Sequence, residues 1–173
     1  LPKVLSVNIE ESIVPVPDER VDWLSTIYNP KKKIYATVDC LDVPGFSFMD
    51  ESGRAAARRL VNQIRTIDML VLVIRGFDND SVPMYRGSVN PQRDYDELMT
   101  ELLLADLEQV TTRIERLEKE VKKPSKKGTD SKAELELMMK MQDAIENEKP
   151  ISSIIDSEAE LELIRSFGFL TLK

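Results

Sequence analysis

The sequence predicts an α/β fold, a predominantly parallel sheet carrying an inserted antiparallel helical hairpin. Three stretches point to it. Lys33 to Gly45 reads as a short strand that ends in Asp42-Val43-Pro44-Gly45. Asp68 to Arg75 is a nearly continuous apolar run bounded by charges, the pattern of a strand buried on both faces of a parallel sheet. Leu103, Leu107, Val110, Ile114, Leu117 and Val121 step by 4, 3, 4, 3 and 4, the a/d seam of a coiled coil.

Composition bounds what such a chain can do. Its 173 residues make one ordinary domain, or one domain with an insert. They are 42% hydrophobic, with no apolar run near membrane-spanning length, so no membrane association is expected. A single cysteine, Cys40, excludes an internal disulfide framework and suits a reducing, cytoplasmic compartment. Lying in an apolar strand, Cys40 is expected to pack rather than to sense redox state. The absence of histidine removes imidazole metal sites and histidine acid–base chemistry. A net charge of −7 argues against broad nucleic-acid binding, though not against a local basic patch.

The elements follow in order. Ile9 to Val16 alternates loosely and ends in Pro-Val-Pro, which suits an edge strand or an extended segment. Asp18 is a helix N-cap, and Val21, Leu24, Ile27 and Tyr28 recur at helical spacing until Asn29-Pro30 stops the helix. Trp23 is expected to pack at that helix. Ile34 to Leu41 is the organising strand. A helix is expected after Gly53, through Arg54-Ala55-Ala56-Ala57-Arg58-Arg59, with its arginines on a solvated face. The apolar strand Asp68–Arg75 comes next, then a loop, Gly76 to Pro91, rich in Asp, Asn, Ser, Pro and Gly. Asp94, with Glu97 three residues on, is expected to cap the long helix. Pro124 to Asp130 is a tip loop. Ser131 to Asn147 is a second helix with Leu137, Met138, Met141, Ala144 and Ile145 on one side. Asp156 is expected to cap a short helix, and Phe167 to Leu172 to begin a returning strand. The expected boundaries are residues 1–93 for a partial core domain, 94–149 for the hairpin and 150–173 for the return.

Two stretches carry candidate chemistry. A strand that ends in Asp-x-x-Gly is what a Mg²⁺- and phosphate-sensing loop needs. Asp42 is a hard-oxygen ligand for Mg²⁺, and Gly45 frees a backbone N–H for a γ-phosphate. The same four residues also make an ordinary turn. Lys119, Lys122, Lys123, Lys126, Lys127 and Lys132 cluster near the hairpin tip. Such a run is usually a solvated face. The other reading is a basic knob that touches RNA or an acidic partner.

Several segments together resemble the YchF/Obg-like ATPase family of P-loop NTPases. Val14-Pro15-Val16-Pro17-Asp18-Glu19-Arg20-Val21-Asp22 is similar to its V-P-x-P-D-x-R-x-D. Ile27 to Lys32 and the strand through Gly45 resemble its I-x-x-P-K/E segment and D-x-x-G switch. Ile64-Arg65-Thr66-Ile67-Asp68, followed by Val73-Ile74-Arg75-Gly76-Phe77, resembles I-R-x-x-D…V-V-R-x-F. Thr100 to Glu108 resembles the start of its helical insert, and Phe169 to Lys173 its returning strand. The resemblance implies a P-loop G-domain that binds ATP or GTP with Mg²⁺, hydrolyses it, and associates with ribosomal particles. It implies Asp42 at Mg²⁺, Pro44 and Gly45 at the γ-phosphate, and Leu1, Pro2, Lys3 and Val4 near the phosphates. A monomer is expected.

The departures shape the expectation of activity. The family opens with G-x-P-N-V-G-K-S/T. Here Leu1-Pro2-Lys3-Val4 resembles x-P-N-V, Lys3 stands for Asn, and Leu5 follows where Gly-Lys-Ser/Thr is expected. The family's base-reading N-x-x-E follows a T-L-K-P segment, past Lys173, so ATP and GTP are not distinguished. Phe46, after Gly45, cannot polarise a water. Alignment places Met84 where the family carries a histidine proposed to assist hydrolysis, and no catalytic residue is assigned. Arg54 to Arg59 replace family glycines, which implies a stiffer switch helix. Two further readings are a nucleotide-gated binding module with little hydrolysis, and a hairpin that dimerises.

Overall fold

The computed structural model describes residues 10–43, 45, 51–82, 86–122 and 128–173, with backbone alone at 51, 52, 54, 56 and 128–130. The chain divides into two compact units, Leu1–Ala57 and Arg58–Lys173.

In the first unit, β1 (Glu10–Pro15) and β2 (Thr37–Asp42) pair antiparallel, and α1 (Glu19–Tyr28) lies between them in sequence. The register sets Glu10 opposite Asp42 and Pro15 opposite Thr37. Asp18 caps α1 as expected: its carboxylate accepts the Arg20 N–H at 2.9 Å and is gripped by the Arg20 guanidinium. Asn29 ends the helix in the left-handed region, at φ 41°, and Pro30 bars continuation. Asp22 accepts from Lys33 Nζ at 2.8 Å and from the Tyr35 hydroxyl, fastening α1 to the segment that enters β2.

Packing in this unit departs from expectation. Every residue of β1 and β2 is exposed, and α1 buries none. Trp23 is 62% exposed and Cys40 is exposed, so neither is a packing residue here. Two strands and one helix have too few faces to enclose a side chain.

Among the described residues the only ladder is this antiparallel pair, and the expected parallel pairing is not seen there. Residues 69–76 form no strand. Met69, Val71 and Val73 are 70%, 78% and 90% exposed, whereas Leu70, Leu72 and Ile74 are half-buried. That alternation is strand-like with one face covered. An apolar run supplies two apolar faces but not the neighbouring backbone that makes a ladder.

In α2 (Glu51–Ile64), Ala57, Leu60 and Ile64 are buried at helical spacing, and Arg58 and Arg59 are exposed, as a solvated face requires. The long helix α3 (Pro91–Val121) begins three residues before the expected cap. Asn90 is the N-cap, accepting the Arg93 N–H at 3.1 Å, and Pro91 takes the first helical position, where its missing N–H is harmless. Asp94 sits instead in the first turn, paired with Arg93 at 2.7 Å.

α4 (Gly128–Glu146) packs along α3, and the short connection makes the two antiparallel. Leu103, Val110, Ile114 and Leu117 meet Leu137, Met138, Met141 and Ile145, with Ile151, Ile164 and Phe169 closing the base. The seam is therefore filled by the same chain. Arg113 joins the helices through a two-pronged pair with Glu134 at 2.7 and 2.8 Å.

Ser157, rather than Asp156, caps α5 (Glu158–Ile164). Its hydroxyl accepts the Glu160 N–H at 3.2 Å, while Glu160 accepts the Asp156 N–H at 2.9 Å. The returning strand is absent: Arg165–Phe167 and Leu170–Leu172 are 3₁₀ turns. Gly168, at φ 63°, breaks the extension between them, and the N–H groups of Leu170 and Thr171 are taken by Asp106 instead of a neighbouring strand.

Candidate functional site

Asp42 lies at the end of β2, exposed, with Glu10 directly across the ladder. Side chains so placed have Cβ atoms about 4.5–5.5 Å apart. Neither carboxylate makes a hydrogen bond or ion pair among the described residues. The other acids of this unit contrast with them. Hydrogen bonds from Arg20 lower Asp18 to about 2, and Lys33 with Tyr35 lowers Asp22, so both carboxylates are spent on structure. Glu10 and Asp42 are not.

Gly45 is exposed, and an added Cβ there would meet nothing within 4 Å. Nor does its φ lie in the left-handed region, where the described glycines are Gly87 and Gly168. Neither packing nor backbone conformation here demands a glycine, so the turn reading loses its usual cause.

The donor set fits Mg²⁺ bound together with phosphate. That ion takes one or two carboxylates, keeps several waters, and completes its shell from substrate oxygens. Among the described residues no group of three or more Asp, Glu, Cys or His is placed to hold a metal ion. Glu10 could not be found from sequence, because only the antiparallel register brings it to Asp42. Leu1, Pro2, Lys3, Val4, Pro44, Phe46 and Met84 lie outside the described residues. So do Lys123, Lys126 and Lys127, while Lys119, Lys122 and Lys132 are exposed.

A second polar cluster, missed from sequence, closes the far end of α2. Asp106 on α3 is fully buried. It accepts from Arg65 Nη1 at 2.8 Å, the Leu170 N–H at 3.0 Å, and the Thr171 N–H and hydroxyl at 2.8 and 2.9 Å. Arg65 also reaches the Ala105 carbonyl at 2.9 Å and that of Gly168 at 3.3 Å. Lys173 Nζ donates to the carbonyls of Ile64 and Arg65 at 3.0 and 2.6 Å. Burial, and then the Arg65 charge, pushes Lys173 below its ordinary range.

No family model matches the chain. It is 36% identical over 168 residues to the ribosome-binding ATPase YchF of Pasteurella multocida, and 33% identical to that of Bacillus subtilis. It is 32% identical to Obg-like ATPase 1 of Oryza sativa. These matches cover 97% of the chain and 42–46% of each relative, so the chain spans just under half their length. The structure of the Schizosaccharomyces pombe YchF GTPase superposes with a TM-score of 0.80 at 30% identity, covering 99% of this chain and 46% of that one. Over this stretch, the chain is similar to members of the YchF/Obg-like ATPase family. The structural likeness supports a P-loop G-domain fold, of which the described residues show the small antiparallel sheet and the helices.

Two arginines of the motifs that carry the resemblance, Arg65 and Arg75, make local contacts. Arg65 joins α2 to Asp106. Arg75 gathers the loop that follows it, donating to the carbonyls of Phe77, Asn79 and Val82, each at 2.9 Å, and lying over the Phe77 ring. Among the described residues, no helix is long and apolar enough to cross a membrane.

Proposed function

We propose that this chain forms part of a Mg²⁺-dependent nucleoside triphosphatase that binds and hydrolyses ATP or GTP and presents its nucleotide state to ribosomal particles. The observation that carries the reading is the pair formed by Asp42 and Gly45: an uncommitted carboxylate at a strand end, then a glycine that the fold itself does not require. The relatives' names, ribosome-binding ATPase and YchF GTPase, support it. When bound, the cation would neutralise charge on the phosphates. Asp42 would orient it through its carboxylate, and Gly45 would donate its N–H to the γ-phosphate. The lysines at the hairpin tip would meet RNA phosphates, through Lys119, Lys122 and Lys132 and their sequence neighbours Lys123, Lys126 and Lys127.

The test is Mg²⁺-dependent nucleotide binding and single-turnover phosphate release by the full-length protein. Asp42→Ala is expected to abolish the Mg²⁺ dependence and slow release. A release rate unchanged by Asp42→Ala overturns the enzyme reading. A second reading, a nucleotide-gated binding module with little turnover, is supported by Phe46 and Met84, neither of which can move a proton. Tight Mg²⁺-nucleotide binding without phosphate release favours it.

A further inference from the structure

We propose that the buried cluster around Asp106 is a latch through which the nucleotide state of the Asp42–Gly45 loop is passed to the helical hairpin. This rests on the nucleotide reading above. The latch is built on the far end of α2, the helix that begins six residues after Gly45. That end is held in three ways. Arg65, just beyond the last turn, pairs with Asp106 of α3 at 2.8 Å. Lys173 caps the carbonyls of Ile64 and Arg65, a cation at the negative end of the helix dipole. Gly168 packs so tightly that a Cβ there would lie 2.5 Å from the Arg65 carbonyl oxygen. A shift of the end of α2 therefore moves Asp106 or breaks its bonds. Asp106 sits on the same helix as Val110, Ile114 and Leu117, whose side chains pack against α4.

The chemistry of the cluster suits a latch better than a filler. A buried ionic group is seldom the most stabilising occupant of a core, since apolar side chains of similar volume often do as well. What six donor–acceptor contacts on two charged groups add is geometry. They are satisfied in one arrangement and lost in steps when an element slides, so small motions become discrete ones. Asp106 and Arg65 are thus positioning residues, distant in sequence from the phosphate loop and without a place in its chemistry.

Hydrogen exchange of the full-length protein, with and without Mg²⁺-nucleotide, tests the latch. Nucleotide binding is measured separately by calorimetry. In the native protein, nucleotide is expected to change exchange in residues 103–121 and 131–145. In Asp106→Asn that change is expected to vanish while nucleotide still binds. Thr171→Val, which removes a single hydroxyl donor, is the milder variant should Asp106→Asn fail to fold, and is expected to reduce the change. A native-like hairpin response in the variants overturns the latch. Nucleotide binding with no hairpin response in the native protein also overturns it and leaves the nucleotide reading standing. Failure of the native protein to bind nucleotide removes both.

Discussion

Glu10 stands directly across the antiparallel ladder from Asp42, so two exposed carboxylates share the end of the β1–β2 pair. Like charges in that position repel, and opposed like pairs are destabilising on the scale of about 0.2–1 kcal/mol. Glu10→Gln is therefore expected to raise the melting temperature slightly in the absence of divalent cation. Mg²⁺ with nucleotide is expected to stabilise the native protein more than the variant, because the cation relieves a repulsion that the variant lacks. Equal Mg²⁺ responses in thermal melts would remove Glu10 from the site.

Gly168 and Gly45 make opposite predictions from the same substitution. Gly168 has φ 63° and lies against the Arg65 carbonyl, so Gly168→Ala adds left-handed strain to a backbone clash. The combined loss is expected to reach about 2 kcal/mol or more, read by denaturant unfolding. Gly45→Ala meets open space, and is expected to leave stability within about 0.5 kcal/mol of native. It should nonetheless weaken nucleotide binding, because the methyl group stands where a phosphate would approach. Unimpaired nucleotide binding by Gly45→Ala would return that residue to the status of an ordinary turn glycine.

Asp106→Ala removes the partner of a largely buried guanidinium and strands the N–H groups of Leu170 and Thr171. Breaking a buried pair in this way is destabilising by about 3–5 kcal/mol. A loss below about 1 kcal/mol in denaturant unfolding, a level typical of exposed pairs, would mean that water reaches the cluster.

These residues show what the sequence could and could not display. The seam from Leu103 to Leu117 and the α4 face of Leu137, Met138, Met141, Ala144 and Ile145 were legible because helical periodicity is a local property. Asp18 and Asn29 were legible as helix ends for the same reason. Burial in the first unit was not: Trp23 and Cys40 sit in apolar company along the chain, but burial depends on a second layer that no local pattern encodes. Asp106 reads as a polar interruption of an apolar stripe. Its partners lie 41, 64 and 65 residues away, a distance over which spacing carries no signal. Of the candidate site, Asp42 and Gly45 announce themselves through their motif, whereas Glu10 depends on a cross-strand register.

On the alignment that the family resemblance implies, Met84 stands at a histidine position, and that reading predicts a gain of function. A side chain positioned for general acid–base work contributes about 10²–10⁴-fold, and methionine contributes none of it. Met84→His is expected to raise single-turnover phosphate release by at least about tenfold, with a new dependence on pH near neutrality. An unchanged rate would place hydrolysis on groups other than residue 84.

The capping acid of α1 predicts the acid limb of stability. Hydrogen bonds from the Arg20 side chain and N–H hold Asp18 at about 2, against an ordinary 3.8. The folded state thus favours the ionised form more than the unfolded chain does. Its contribution is present above the unfolded value and disappears as pH falls through about 2. Asp22 and Glu160 are lowered for like reasons, by Lys33 with Tyr35 and by the Asp156 N–H with Lys140, and add in the same direction. Lys173 behaves otherwise: its depressed value means that the folded state resists the proton, a penalty relieved as pH rises toward 10.5. Asp18→Asn keeps an N-cap acceptor but removes the charge, so it is expected to flatten the fall in melting temperature between about pH 4 and pH 2 without abolishing α1. Carbon-detected NMR of the Asp18 carboxyl gives the direct reading. A midpoint near 2 means that both Arg20 contacts persist in solution, and one near 3.8 means that neither holds the carboxylate.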